Sequence, residues 1–327
     1  MGVQMTTTPA SKTPAANRAP SGARLADRGF RWLCLAGALV VGVLLLLVIW
    51  QLLRGARLSM DRFGWGFFIG KTWDPVSEEF GALPFIFGTV VSSIVALLIA
   101  VPLSVGTAIY LTDLAPPRLR QPLSSLIEML AAVPSVVWGL WGFFILVPIL
   151  RATLYPVLQK CLGFLPFFQG PIYGIGLLTA GIILAIMILP IVTSISREVL
   201  RSVPNLQREA AYALGATRWE VTRIAVLSYA RRGLFGAAAL GLGRALGETM
   251  AVMMVIGNTP YIGLSLFHPA STLASGVANE FTEATGDLQL SALFELGLVL
   301  LGVTILVNIL AQVMVRAFTT AETRRVA

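Results

Sequence analysis

Six stretches of this chain, at roughly 32–53, 82–112, 124–150, 174–196, 233–257 and 289–315, are long and apolar enough to cross a bilayer. An α-helix needs about 20 mostly apolar residues to do so. Lipid offers the backbone no hydrogen-bonding partner, so runs of this kind have to fold as helices. Pro102, Pro134 and Pro148 fall within the second and third runs and predict kinks or breaks there. A mean hydropathy of +0.81 with only 12% charged residues excludes an ordinary soluble domain, which carries about 25%. The expected fold is an all-α membrane protein, a polytopic bundle of six transmembrane helices.

The first run follows Arg24, Arg28 and Arg31, as a signal peptide would. It is too long for one, and the Gln-Leu-Leu-Arg-Gly-Ala after it lacks a small-x-small cleavage site, so an uncleaved anchor is expected. Ahead of it lies a tail rich in Thr, Pro, Ala and Ser, which cannot bury enough surface to offset its ordering entropy. Residues 1–28 are expected to be a disordered cytoplasmic tail and 29–327 one permease-like membrane domain. The net charge of +8 could suggest a polyanionic partner, but its placement argues for topology. With the N-terminus inside, seventeen of the 24 Lys/Arg fall in inner segments and six in outer ones, with Arg244 inside the fifth run. That is the positive-inside bias; both termini are expected in the cytoplasm of a plasma (inner) membrane protein, with no nucleic-acid partner. Cys34 and Cys161 should lie on opposite sides of the bilayer, which disfavours a disulfide, and two cysteines make no metal site. Trp65, Trp73, Tyr155, Phe164, Phe167 and Phe168, in the outer loops, suit a headgroup belt, with a docking surface as the alternative.

Between the fourth and fifth runs lies a polar island, residues 197–232, carrying seven arginines. Its centre is rich in Ala and Gly, whose low surface lets a partner's groove approach closely. Pro204 permits a new helix from about 205 through Glu220, with Gly215 inside it at a cost of about 1 kcal/mol. Glu209-Ala210-Ala211, then Gly215, Arg218 and Leu227, resembles the EAA loop of ABC-importer permeases. That resemblance implies docking onto an ATPase subunit. The pattern departs at Ala225, where Ile is usual, and at Ser228, where Pro ends the motif. The chain has no Gly-x-x-x-x-Gly-Lys-Ser/Thr, so no cofactor is expected in it and ATP would be bound by partner subunits.

An Arg near mid-span costs roughly 2.5–3.5 kcal/mol to insert and by default serves a function. Arg244 is such a residue, with Glu248 one turn further along on the same face. The plain alternative is an intrahelical ion pair, though Arg preceding Glu is the weaker order. Gly243 and Gly247 form a Gly-x-x-x-Gly that reads as simple helix packing. A guanidinium's planar fork suits a tetrahedral oxyanion, and a neighbouring carboxylate can accept a hydrogen bond from a protonated one. Phosphate carries a proton at neutral pH and sulfate does not, so the pair favours phosphate. Glu128 is expected at an inner helix N-terminus, where negative charge is favoured. Glu295, at a depth near Glu248, either lines the pathway or hydrogen-bonds across helices.

Arg244-Ala-Leu-Gly-Glu248-Thr-Met-Ala-Val, Ile256-Gly-Asn258-Thr, Ala131 to Gly142 and Glu295-Leu-Gly-Leu-Val-Leu resemble the permease subunits of phosphate ABC importers. The resemblance covers about residues 30–317. It implies a type I ABC importer permease fold, with Arg244 and Glu248 in the substrate pathway and no catalysis by this chain. It also implies a homologous second permease subunit, an ATP-binding subunit dimer and an extracytoplasmic phosphate-binding protein. Two alternatives stand beside it: a permease for molybdate or sulfate, and a membrane enzyme using Glu128, Glu248 or Glu295 as acid or base.

Overall fold

A computed structural model describes residues 21–326, with side chains for 29–314. Contacts divide the chain into two units at Gln51/Leu52. Most of the expected N-terminal tail, residues 1–20, lies outside the described residues. Helix α1 (Ser21–Gly55) is already under way from Ser21. The first unit holds its apolar length, and none of that window is buried. A helix apolar all round is one suited to lipid or to a partner helix.

In the second unit, two short helices, α2 (Arg57–Phe63) and α3 (Gly66–Ile69), lead to a small antiparallel hairpin pairing Trp73 with Phe80 and Asp74 with Glu79. The first long span is α4 (Leu83–Ile109), which runs through Pro102 into a π-helical turn at Tyr110–Leu114. After it come α5 (Pro117–Ala131), α6 (Ser135–Trp141), a π-turn at Gly142–Leu146 and α7 (Val147–Ala152). Pro148 has no N–H to donate, and the π-turn just ahead of it absorbs that interruption. Helix α8 (Leu154–Leu162) closes this region on the surface, and α9 (Leu177–Arg201) returns across the bundle.

Next come α10 (Asn205–Ala213), α11 (Arg218–Glu220), a π-turn at Val221–Val226 and α12 (Leu227–Leu246). The chain then bends by 67° into α13 (Met250–Ile256). Finally α14 (Leu273–Phe281) leads into α15 (Asp287–Val326). Among the described residues, five helices are long and apolar enough to cross a membrane, and the bent α12–α13 pair makes a sixth crossing if counted as one span.

The third crossing differs from expectation. Pro134 ends the helix outright, so the span is Ser135–Ala152 and α5 is a separate amphipathic helix. An X-Pro step pushes the preceding residue out of the helical region, which converts an expected kink into a break.

Helix α9 is the hub. Two thirds of its apolar window (67%) is buried, and its packing with α4 is the most extensive in the fold. Ala96, Ala100, Ala180 and Ala185 keep that seam narrow, which suits membrane helices that associate by close packing rather than by the hydrophobic effect. Two of the outer aromatics are neither belt nor docking surface. Trp73 is buried against Phe80 and Phe85 and donates its indole N–H to Glu280 at 3.3 Å. Tyr155 is fully buried against Phe267 and hydrogen-bonded to Thr179, and burial pushes its hydroxyl up to about 12. Trp65, Phe164 and Phe167 are exposed. Cys34 and Cys161 are free thiols.

Candidate functional site

The polar island folds as two short helices around a glycine, not as the single helix expected through Glu220. Helix α10 stops at Ala213, and Gly215 takes φ +82°, with open space where a side chain would stand. The left-handed conformation is free of penalty only for glycine, so Gly215 is a helix terminator rather than a tolerated interior residue. The chain restarts at Thr217, whose hydroxyl accepts from the Glu220 N–H while the Glu220 carboxylate accepts from the Thr217 N–H. That capping box, led by the Thr217 N–H, holds the Glu220 carboxyl below the ordinary carboxylate range.

Glu209, Ala210, Gly215 and Arg218 are exposed, and Ala211 is half-buried. Around them protrude Leu206, Tyr212, Leu214 (90% exposed) and Trp219 (56%). Large apolar side chains on a polar segment mark a surface that a partner covers.

Arg208 helps to hold this segment to the bundle, and sequence reasoning missed it. Arg208 reaches Asp113 at 2.7 Å and donates to the Leu200 carbonyl at 3.0 Å. The other Asp113 oxygen accepts from the Thr222 hydroxyl at 3.1 Å. Asp113 sits in the π-turn that ends α4, so a single carboxylate ties together the ends of α4 and α9, α10 and the start of the α12 limb. Both side chains of the ion pair are largely buried, at 21% and 11% exposure. The available signal was that Asp113 is the one acid between Glu79 and Glu128, at the very edge of an apolar run.

The α12 limb then passes α9 closely; a Cβ on Gly241 would press on Val192 at 2.6 Å. Gly243 and Gly247 are not the packing motif expected. The first has only Asn308 nearby, at 3.7 Å, and the second meets nothing beyond its own helix. Arg244 lies in the last turn of α12 and is exposed. Glu248 falls in the bend itself, 8% exposed, with one carboxylate oxygen accepting from the Ala251 N–H at 3.4 Å. Among the described residues no ion pair joins them, so the neutralising Arg–Glu pair is not formed and the guanidinium is left to other partners. The helix C-terminus beside it partly stabilises its charge.

Of the other two acids, Glu128 sits elsewhere than expected. Glu128 is near the end of α5, not at a helix start, and is ion-paired with Arg197 at 2.8 Å. Glu295 is 2% exposed and faces a pocket of about 300 Å³ with Met60 and Phe68; its Oε2 has no hydrogen-bond partner. Thirteen residues separate it from Asn308, the residue facing Gly243, which is about 20 Å along α15. Glu295 therefore does not share the level of the Arg244 region.

The arrangement is a polytopic helical permease fold with an exposed, anchored segment on one side and a charged bend in the limb that leaves it. Residues 100–320 match the model of the binding-protein-dependent transport system inner membrane component family, and the chain belongs to that family. It is a multi-pass membrane protein, and a component of this kind works with an ATPase and a substrate-binding protein.

The phosphate transport system permease protein PstC of Mesorhizobium japonicum is 48% identical over 294 residues, covering 89% of this chain and 90% of that one. The PstC of Haemophilus influenzae is 49% identical over 282 residues, covering 85% and 89%. PstC 2 of Mycobacterium tuberculosis is 44% identical over 285 residues, covering 85% and 87%. A solved inward-facing MetNI methionine ABC transporter aligns at 20% identity with a TM-score of 0.49, over 72% of this chain and 94% of that one.

Proposed function

We propose that this chain is a permease subunit of an ATP-driven importer of inorganic phosphate, forming half of the translocation pathway. The observation that carries the reading is Arg244, an arginine in a membrane-crossing limb, without an ion pair, one turn from the buried Glu248. Such a charge is costly to keep in a membrane unless a ligand or pathway uses it. The relatives named above are phosphate transport permeases, which favours phosphate over molybdate or sulfate and a transport subunit over an enzyme.

The mechanism follows from how the parts are joined. Helix α10, with Glu209, Ala210 and Ala211, together with Gly215 in the turn after it and Arg218 at the start of α11, offers the surface an ATP-binding subunit dimer would grip. The Arg208–Asp113 pair passes its displacement to α4, and the Val221–Val226 turn passes it to α12. From Leu227 to Arg244 the limb is about 26 Å long, so it acts as a lever whose far end carries the anion contact. Arg244 provides a bidentate fork for phosphate oxygens, and Glu248 accepts a proton-bearing oxygen. Glu295 lies toward another region and would support α2 rather than touch cargo. The partners in this reading are a homologous second permease subunit, the ATP-binding dimer and an extracytoplasmic phosphate-binding protein, with both termini cytoplasmic.

The test is reconstitution of the chain with those partners, followed by ATPase assays with binding protein loaded with phosphate, sulfate or molybdate. Stimulation by phosphate alone is expected. Equal stimulation by sulfate would remove the role given to Glu248.

A further inference from the structure

A polar cavity of about 420 Å³ lies between α5 and the end of α9, on the side where α10 emerges. It shares no lining residue with the Arg244–Glu248 bend. Arg120, Ser124 and Glu128 line it from one face of α5 at successive i, i+4 positions, with Ser125 beside them. Arg197 and Arg201 line it from α9, again four residues apart. Three guanidinium groups thus face one carboxylate, leaving two positive charges uncompensated. Glu128 takes one Arg197 nitrogen at 2.8 Å, and Arg120 donates to the Ala115 carbonyl at 3.4 Å. The Nε atoms of both arginines are buried with no hydrogen-bond partner.

Each of these features is costly in an empty cavity. Buried unpaired donors lose their hydration without return. Arg197 and Arg201 repel at i, i+4 spacing. Arg120, in the first turn of α5, opposes the positive end of that helix's dipole. A tetrahedral oxyanion offsets the last two costs together, because its negative charge sits between the guanidinium groups and its several acceptor oxygens can serve forks from two helices.

We propose that the Arg120–Arg197–Arg201 cavity binds a phosphate group, presented either as free inorganic phosphate or as an anionic lipid headgroup. The site would sit beside the docking segment, since Arg201 closes α9 just before α10 and Arg208 bonds the Leu200 carbonyl. Its occupancy would therefore stiffen the end of α9 where the Arg208–Asp113 anchor attaches.

The test uses the full chain carrying Arg244→Gln, so that the bend contributes no anion binding and a failure of the transport reading cannot mask the result. One arm measures the shift in Tm on titrating inorganic phosphate against chloride at matched ionic strength. The other measures, by native mass spectrometry, retention of phosphatidylglycerol against phosphatidylcholine from mixed nanodiscs. Binding is expected in at least one arm: a Tm shift assigns free phosphate, and selective lipid retention assigns the headgroup. Adding Arg120→Gln or Arg201→Gln should weaken it by about tenfold or more. Arg120→Lys and Arg201→Lys, which keep the charge but lose the fork, should weaken it less and serve as the readout if the Gln variants do not fold. No binding in either arm, or binding that ignores all four substitutions, overturns the proposal.

Discussion

Arg208, in α10, and Arg244, in the last turn of α12, are treated in opposite ways. Arg208 is held on two sides, by Asp113 at 2.7 Å and the Leu200 carbonyl at 3.0 Å. Arg244 has no ion pair among the described residues, although an acid lies four residues away. The fold neutralises the arginine that anchors α10 and leaves the other without an ion pair among the described residues. The same contrast separates their acids: Asp113 is spent on two partners, whereas Glu248 has only the 3.4 Å Ala251 N–H.

Several substitutions press on this contrast. The largest effect belongs to the bend. Glu248→Gln removes the negative charge and turns one of the two acceptor oxygens into a donor, so phosphate uptake in vesicles should fall about a hundredfold while the complex still assembles. Asp113→Ala acts at the other end. It strands the largely buried Arg208 and should lower the stability of the chain by about 1–3 kcal/mol, with ATPase association weakened in a pull-down. A double-mutant cycle of Asp113→Asn with Arg208→Gln should show coupling of about 1 kcal/mol or more; additive losses would mean that the pair is no anchor.

A smaller change is expected at Gly215. Gly215→Val forces a branched side chain to φ +82° and should cost about 1–2 kcal/mol, read as a weakened grip on the ATPase. The smallest effect concerns the capping box. Because the folded structure depresses the Glu220 carboxyl, its contribution is fully present above the ordinary value of 4.5 and is lost as pH falls beneath it. Glu220→Gln should therefore lower stability slightly at neutral pH and flatten the further loss that the native chain shows at acid pH.

The spans were legible because apolar length is a local property that a bilayer enforces. So was the island's exposure. What failed were judgements about position along a helix. Gly215 sits in an Ala-rich stretch with strong helical preference, and only its φ reveals that the helix has already ended. Pro134 broke α5 from α6 rather than bending one span, which moved Glu128 from a helix start to a helix end. The Asp113–Arg208 pair joins residues 95 apart in sequence, and no local pattern announces such a partner. Trp73 and Tyr155 followed the composition of a headgroup belt but filled a packed outer core, because loop aromatics can bury against one another as well as against lipid.

The most direct test sets Arg244→Gln beside Arg208→Gln in the reconstituted complex, measuring phosphate uptake and subunit assembly on the same preparations. The expected result is a clean separation: Arg244→Gln assembles fully and does not transport, while Arg208→Gln loses assembly with the ATPase. Transport at the native rate by Arg244→Gln would contradict the account.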